Sequence, residues 1–494
     1  MTAAIQDNPL YKIANPGSIA IFGASNNPSA MGTSILNSIR ALGFEGALYP
    51  VHPKETTVQN LAAFPSVADL PSIPDLAVLV LPTQIVADTL DACGRKGIHH
   101  AIVVSGGFTE VGKEGIRLQK ELAAVAKRHD IRFLGPNCIG VVNPHHHLNS
   151  TFLPYDNKPG FIGMASQSGS FITQMFDYLE HFGLGFSTGF SVGNEADIDI
   201  VDCLQYLAQC PRTRVIALYI ESIRRGREFI AAARAIVPHK PIVAFYVGGS
   251  DEGRRAGFSH TGALAGPDRL YSGIFRQAGV IRANSISELF DFCWVLGACP
   301  LPAENAIIIQ THSGGPGAVA ADACGRTGLK LPKIDVDTLA RLKPFVPHTG
   351  SCGNPIDLTF TRNPLDYYQI IPEILLESSN CGGVLAYFLV PSKTVKQSLE
   401  QMGVAPDQVE TETGKLVDGL AQAVSQLPAK HAKPLIGFSF RNRNDLFTRT
   451  LQNSGLPVLP DPGRAARAMA ALVTYRQLRA KIESSRFSPE KDAP

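Results

Sequence analysis

Short apolar runs alternate with segments of helical spacing along most of the chain. The apolar runs are bounded by Gly, Pro or Ser, as is typical of strands buried in parallel sheets. They predict strands at residues 18–22, 49–51, 76–81, 101–104, 131–134, 161–165, 186–192, 215–220, 242–247, 306–309, 384–390 and 434–438. Helical segments such as 32–42 and 171–181 lie between them. This alternation predicts an α/β fold built on doubly wound parallel sheets.

Two polar, proline-containing segments, 149–158 and 300–305, interrupt the alternation. They predict three domains, at residues 8–148, 158–298 and 302–478. The first is expected to be Rossmann-like. In the other two a strand, a loop of small residues and a helix follow one another in the same order, which predicts two related flavodoxin-like domains. A chain of 494 residues has room for roughly three domains of about 150 residues each.

The composition is typical of a well-packed globular protein, with 45% hydrophobic and 18% charged residues. A net charge of +2 argues against a nucleic-acid surface, and no apolar run reaches the ~20 residues that cross a bilayer. The nine cysteines are scattered without a CxxC pair, and the first residues show no signal-peptide pattern. We therefore expect a soluble, cytoplasmic protein with reduced thiols, whose partners include neither nucleic acid nor a membrane.

Small-residue turns follow several strands of the first domain, where a doubly wound sheet binds its ligands. The turn after the first strand lacks GxGxxG, and a lysine follows the second strand, where NAD enzymes carry an acid. A cation at this position favours a phosphate-rich nucleotide such as coenzyme A over NAD. Each motif alone is explained as well by a tight turn. Together they predict a CoA site formed by Gly23, Ala24, Ser25, Lys54, Ser105, Gly106, Pro136 and Asn137.

Loops of small residues open a helix in each of the two later domains. Free N–H groups and the positive end of the helix dipole make such a helix start an anion site. Helix capping by a serine side chain explains the first loop equally well. The two loops predict phosphate- or substrate-binding residues at Ser168, Gly169, Ser170, Ser313, Gly314 and Gly315.

The loop 257–266 places His260 among glycines and small hydroxyl residues, which no amphipathic period explains. Glu221 follows another strand of the same predicted sheet, and a carboxylate beside an imidazole stabilises its cationic or phosphorylated form. The surrounding sequence lacks zinc ligands at short spacing, a Gly-x-Ser-x-Gly elbow and a P-loop. We therefore predict that His260 carries a phosphoryl group with Glu221 beside it and without a metal. The histidines 145–147 are interpreted as a solvated connection, and residues 353–358 as a turn.

These motifs resemble the alpha part of the NDP-forming acyl-CoA synthetases, which are relatives of the succinyl-CoA synthetase alpha subunit. The resemblance covers about residues 8–478, and its most specific motif is Ser259-His260-Thr261-Gly262-Ala263. It implies a CoA-binding domain followed by two ligase-CoA domains. It also implies that a carboxylic acid, CoA and ATP or GTP react to acyl-CoA, NDP and phosphate, through an acyl phosphate and a phosphohistidine at His260 that Glu221 supports.

The family holds its nucleotide in an ATP-grasp module, which nothing in this sequence resembles. We therefore expect a hetero-oligomer in which an ATP-grasp beta subunit binds ATP or GTP with Mg, while this chain binds CoA and a small carboxylic acid. A non-catalytic protein that binds CoA or acyl-CoA for regulation is the alternative on the same scaffold. A NAD-dependent dehydrogenase is disfavoured by Lys54 and by the missing GxGxxG motif.

Overall fold

The computed structural model describes residues 4–253, 255, 266–359, 363–390 and 392–486. The chain divides into two compact units, Met1–Ser285 and Ile286–Pro494. Both units are built from parallel strands that alternate with helices, which confirms the predicted α/β fold class. The boundaries of the three predicted domains stay predictions.

The first sheet is formed by the apolar runs at the start of the chain. Ile19, Ala20 and Ile21 of its first strand are fully buried, because a parallel sheet is covered on both faces. The strands in this part of the chain are β1 (Ser18–Phe22), β2 (Ala47–Val51), β3 (Thr57–Val58), β4 (Leu61–Ala62), β5 (Leu76–Leu79), β6 (His100–Val103) and β7 (Arg132–Leu134). Five of them form a parallel sheet in the order β2–β1–β5–β6–β7, while β3 and β4 pair as a separate antiparallel ribbon.

The second sheet lies in the same compact unit. Its strands are β8 (Val141–Asn143), β9 (Leu148–Asn149), β10 (Ile162–Ser166), β11 (Phe186–Ser191), β12 (Val215–Ile220), β13 (Ile242–Tyr246) and β14 (Ile281–Ala283). They form one sheet in the order β14–β13–β12–β10–β11–β8–β9, in which only β8 and β9 run antiparallel to their neighbours. β8 falls within the first predicted domain, residues 8–148, but it pairs with β11 of the second sheet.

The third sheet belongs to the second unit and repeats the strand order of the first. Its strands are β15 (Ile307–Thr311), β16 (Ile356–Asp357), β17 (Gly383–Tyr387), β18 (Leu435–Phe438) and β19 (Val458–Leu459). They are parallel, in the order β16–β15–β17–β18–β19. In each of the three larger sheets, the strand that comes first among the parallel strands lies between the next two in the chain: β1 between β2 and β5, β10 between β11 and β12, and β15 between β16 and β17. Each sheet therefore has a switch point at the carboxyl end of that strand, where doubly wound folds bind ligands.

Helices connect the strands, and none of those in the described residues is both long and apolar enough to cross a membrane. Those of the first unit are α1 (Tyr11–Ala14), α2 (Met31–Ala41), α3 (Thr83–Lys96), α4 (Lys113–Arg128), α5 (Gly169–Glu180), α6 (Ile200–Gln209), α7 (Gly226–Ile236) and α8 (Asp268–Ala278). Those of the second unit are α9 (Ile286–Ala298), α10 (Gly314–Arg326), α11 (Val336–Leu342), α12 (Ile371–Glu377), α13 (Ser392–Gln401), α14 (Val409–Ser425), α15 (Leu427–His431), α16 (Leu446–Asn453) and α17 (Pro462–Arg486).

Residues 145–147 lie in the connection between β8 and β9, where His145 and His147 are exposed, in line with the interpretation as a solvated connection. Residues Pro144–His146 form a short 3-10 helix between β8 and β9. Each imidazole hydrogen-bonds a backbone carbonyl oxygen of another segment: His145 that of Gly160 at 3.0 Å, His146 that of Pro16 at 2.8 Å and His147 that of Leu42 at 3.1 Å. A carbonyl only accepts, so each ring nitrogen donates. The triplet therefore ties three segments of the first unit together.

The interpretation of residues 353–358 as a turn is incomplete. Ile356 and Asp357 form β16, which pairs with the end of β15. A two-residue strand has no periodicity that a sequence pattern reveals, so only the neighbouring strand defines it.

The turn after β1 depends on a glycine. Gly23 has a φ of 88°, and a Cβ at this position would lie 1.9 Å from the carbonyl oxygen of Val80. We expect Gly23→Ala to lower the free energy of unfolding by at least about 2 kcal/mol, because the strained backbone and the clash add. The measurement is the unfolding midpoint in urea. The matched control is Gly273→Ala in α8, where a Cβ meets no atom within 4 Å and about 0.5–1 kcal/mol of stabilisation is expected. Equal effects of the two substitutions would contradict the role of Gly23.

Candidate active site

A cavity of about 530 Å³ lies in the first unit at the carboxyl ends of strands from both of its sheets. The first sheet contributes the segments that follow β5, β6 and β7, and the second sheet contributes those that follow β10, β11 and β12. Seven of the predicted site residues line it together: Ser105, Gly106, Asn137, Ser168, Gly169, Ser170 and Glu221. The sheet edges predicted to carry the chemistry therefore meet in one place.

The wall from the first sheet is rigid because its polar groups bond to each other. The hydroxyl of Ser105 donates to the carbonyl oxygen of Leu81 at 2.7 Å and accepts the N–H of Leu81 at 2.9 Å, which locks the ends of β5 and β6 together. Asn137, in the left-handed region with a φ of 57°, donates from its amide to the side-chain oxygen of Asn194 at 3.3 Å. The Pro136 carbonyl accepts the backbone N–H of Asn194 at 2.9 Å. The Ser105 hydroxyl thus holds two strand ends together, while the residue lines the cavity.

The start of α5 enters the cavity with its N–H groups uncapped by a side chain. Ser168 occupies the N-cap position, but its hydroxyl makes no capping hydrogen bond. The hydroxyl of Ser166 instead donates to the Ser168 carbonyl oxygen at 2.7 Å and fixes the turn. Helix capping therefore does not account for Ser168. The first N–H groups of α5 and the positive end of its dipole are oriented to bind an anion.

The second unit contains the same local arrangement at the start of α10. Ser313 is at the N-cap position without a side-chain capping bond, and the hydroxyl of Thr311 donates to the Ser313 carbonyl oxygen at 2.8 Å. Ser313, Gly314 and Gly315 are exposed. The repeated strand, small-residue loop and helix thus share a hydrogen-bond pattern as well as a sequence pattern.

Gln167 is a central residue of the cavity that the sequence analysis missed. Its side-chain oxygen accepts the backbone N–H of Glu221 at 2.6 Å and that of Ser222 at 2.9 Å. Its side-chain nitrogen donates to the carbonyl oxygen of Ser222 at 2.9 Å and to a carboxylate oxygen of Glu195 at 2.8 Å. The sequence indicates a polar strand-to-helix loop, but a glutamine side chain that bonds across two neighbouring strands leaves no local signal.

Glu195 is buried directly behind Gln167, with a side chain that is only 4% exposed. Its backbone has a φ of 51°, and its second carboxylate oxygen accepts the N–H of Ile200 at the start of α6 at 2.9 Å. Burial raises the pKa of Glu195 to about 7, although these hydrogen bonds and Arg224 oppose the rise. The sequence indicates only an acidic turn in this segment, because burial cannot be seen in a local pattern. The site therefore contains a carboxyl group that changes charge near neutral pH.

The remaining predicted residues lie elsewhere. The cavity is not lined by Gly23, Ala24, Ser25 or Lys54. The N–H of Ser25 donates to the hydroxyl oxygen of Thr33 at 3.0 Å. Lys54 is exposed. Met31, at the start of the neighbouring helix α2, does line it. His260 lies outside the described residues.

One group of potential metal ligands occurs in the described residues of the second unit. Glu373, Glu377 and His431 place ligand atoms within 4.8 Å of one another. Both carboxylates already carry a cationic partner, Lys430 for Glu373 and Arg341 for Glu377. Their charge is thus compensated without an ion, and the arrangement is explained by ion pairing.

Three family models match successive parts of the chain. They are described as a CoA binding domain at residues 17–144, a succinyl-CoA ligase like flavodoxin domain at 159–296 and a ligase-CoA domain at 307–397. The order of these matches follows the order of the three sheets.

Curated relatives and a solved structure match nearly the whole chain. The alpha subunit of ADP-forming acetate–CoA ligase II from Pyrococcus furiosus is 35% identical over 93% of this chain and 96% of the relative. ADP-forming acetate–CoA ligase I from Archaeoglobus fulgidus is 35% identical over 96% of this chain, which spans 64% of that relative. The structure of dinucleotide-forming acetyl-coenzyme A synthetase 1 from Ca. Korarchaeum cryptofilum, in complex with phosphate and ADP, superposes with a TM-score of 0.85 at 31% identity and covers 97% of this chain and 99% of its own.

The raised pKa of Glu195 predicts a pH-dependent stability. Between about pH 4.5 and about pH 7 the folded protein holds a proton on Glu195 that the unfolded chain has released. Stability therefore falls as the pH rises through this window, by up to about 1.4 kcal/mol per pH unit. We expect wild type to lose free energy of unfolding relative to Glu195→Gln between pH 5 and pH 7, measured by urea unfolding at several pH values.

The matched control for this titration is Glu110→Gln. Burial raises the pKa of Glu110, but hydrogen bonds from Asn194 and from the backbone outweigh it and hold the pKa below 4.5. The difference in free energy of unfolding between wild type and Glu110→Gln should stay constant from pH 5 to pH 7. If the difference in free energy of unfolding between wild type and Glu195→Gln were also constant, Glu195 would be ionised throughout this pH range.

Proposed function

The chain belongs to the ADP-forming acetate–CoA ligase family of CoA synthetases, and we propose from this that it is the alpha subunit of an ADP-forming acyl-CoA synthetase. The reaction joins a carboxylic acid to CoA at the expense of ATP or GTP, with release of the nucleoside diphosphate and phosphate. The observation that carries the proposal is the shared cavity, in which the uncapped start of α5 and Glu221 face the strand ends of the CoA-binding fold.

The residues of the cavity have complementary roles in this reaction. The N–H groups at Gly169 and Ser170 bind the phosphoryl group, because a helix start stabilises negative charge. The carbonyl carbon of an acyl phosphate lies within reach of the CoA thiol from the first sheet. The thiol sulfur adds to this carbon, the C–O bond to phosphate breaks, and the phosphate leaves as an anion at the helix start with the proton that the thiol loses. The polar wall of Ser105, Gly106 and Asn137 lines the path of the thiol arm.

His260 carries the phosphoryl group between nucleotide and acid in this proposal. A phosphorylated imidazole is held in orientation by a hydrogen bond from its other ring nitrogen to a carboxylate. Glu221 supplies that carboxylate. The start of α10, at Ser313, Gly314 and Gly315, offers a second anion site of the same design for the phosphoryl group.

The nucleotide is bound by a partner with an ATP-grasp fold. Two relatives support this. This chain covers 96% of the relative that is named as an alpha subunit, and 64% of the relative that is a single chain. The partner would correspond to the remaining part of the single-chain relative. The complete enzyme is then a hetero-oligomer, with Mg and nucleotide on the partner.

The acid is proposed to be a small monocarboxylic acid, and acetate is the first to test. A purely regulatory CoA-binding protein is the competing function. It would have no need for a helix start without a side-chain cap beside a carboxylate, because binding CoA involves no phosphoryl transfer.

The phosphohistidine is tested by labelling the complex with γ-³²P-ATP. Wild type together with its ATP-grasp partner should acquire an acid-labile, alkali-stable label. His260→Asn should abolish the label, and Glu221→Gln should slow its formation by about 10- to 100-fold. The control is His181→Asn, because His181 is exposed at the end of α5 and outside the cavity. Full labelling of His260→Asn would refute the phosphoryl carrier.

The CoA site is tested through Lys54. Lys54→Met should weaken CoA binding by about three- to ten-fold and flatten its salt dependence, because one charge-assisted phosphate contact is lost. Isothermal titration at two salt concentrations measures both effects. Lys113→Met, another exposed lysine of the first unit, is the control. Unchanged affinity and salt dependence in Lys54→Met would remove this residue from the CoA site.

A further inference from the structure

The amide of Gln167 is fully engaged and its orientation is fixed by its partners. Its oxygen receives two backbone N–H groups, from Glu221 and Ser222, which can only donate. Its nitrogen donates to the Ser222 carbonyl oxygen and to the Glu195 carboxylate, which accept. A rotated amide would place its donor group against the two N–H donors and its oxygen against the two acceptors. The segment that carries Glu221 is therefore clamped to the strand end that opens α5.

Both side chains of this hydrogen-bond network, those of Gln167 and Glu195, are buried. Gln167 is 8% exposed, and the Glu195 carboxylate behind it is held from its other side by the N–H of Ile200. These contacts join the ends of β10, β11 and β12, which are adjacent in the sheet. A buried polar network of this kind fixes geometry only while every member is satisfied.

We propose that Gln167 is the positioning residue for Glu221, and that the carboxylate of Glu195 holds Gln167 in the orientation this requires. The inference rests on the proposed function, because it gives Glu221 the task of supporting the phosphorylated histidine. It goes beyond that function by naming two residues that act through Glu221 and thereby set the rate of phosphoryl transfer.

The network also makes positioning sensitive to protons. A charged acceptor forms a hydrogen bond about twice as strong as a neutral one, so protonation of Glu195 loosens the clamp. The charged and titratable groups that act on Glu195 are Arg224 after β12, Asp199 at the start of α6, Cys203 within α6 and Tyr271 in α8. Asp199 is itself paired with Arg225. Burial is the largest influence on the pKa of Glu195; Arg224 lowers this pKa and Asp199 raises it.

The test compares label formation from γ-³²P-ATP by the complete complex over pH 5.5–8.5. Gln167→Met removes the hydrogen bonds of the amide at similar volume and should slow labelling by about 100-fold, as expected for a misplaced catalytic group, with the KM for ATP unchanged. The matched control is Asn157→Leu. Asn157 is equally buried, at 8% exposure, and its amide bonds two backbone carbonyls of the same unit away from the cavity. It should label at the wild-type rate.

The conservative variant Gln167→Glu gives the decisive pH profile. Its carboxylate still accepts the two backbone N–H groups but faces Glu195, and two adjacent carboxylates share one proton as the pH falls. Labelling by Gln167→Glu should therefore recover towards acid pH, where labelling by wild type declines. A merely structural defect would lower the rate of this variant equally at every pH. Parallel profiles for wild type and Gln167→Glu, or a normal rate for Gln167→Met, would overturn the proposal.

Amide hydrogen exchange of the isolated full chain tests the role of Gln167 without depending on phosphoryl transfer. Amides of residues 220–223 should exchange faster in Gln167→Met than in wild type or Asn157→Leu. If wild type acquires no label but exchange behaves as stated, the phosphoryl-transfer function fails while the clamp stands. If labelling is normal in wild type and exchange is unchanged in Gln167→Met, the clamp fails and the function stands.

Discussion

The bonding of one buried amide connects the carboxyl ends of three neighbouring strands in the first unit. Gln167 at the end of β10 bonds Glu195 after β11 and the backbone of Glu221 after β12. The strands are adjacent only because the sheet has a doubly wound order, in which the first strand lies between the second and third. The cavity, the helix start and the carboxylates all take their positions from this arrangement.

The same hydrogen-bond arrangement occurs at two helix starts in the chain. At the starts of α5 and α10, a hydroxyl two residues before the N-cap serine bonds the carbonyl of that serine. The serine side chains make no capping bonds, and the helix N–H groups are left for an anion. Both helix starts favour anions, because each has free N–H groups and the positive end of the helix dipole.

Some features follow from the local sequence. The apolar runs predict most strands of the three sheets, because a strand buried on both faces must be apolar along its length, but they miss the short strands β8, β9, β14, β16 and β19. Gly169 and Gly314 mark their helix starts because small residues between a strand and a helix are typical of a turn that approaches a ligand closely. Ser105 is predicted in the CoA site, yet its hydroxyl holds the ends of β5 and β6 together. The hydrogen bonds of the histidines 145–147 are not predicted, because their carbonyl partners come from three distant segments.

The sequence by itself determined the α/β class, the order of most strands and helices, and the residues at the predicted strand ends, because these depend on patterns within a few neighbouring positions. Only the tertiary structure decided that Gln167 and Glu195 belong to the site. Their role arises from contacts between residues 28 and 54 positions apart. The charge of Glu195 is likewise set by burial, which is a property of the packed unit and of no single segment.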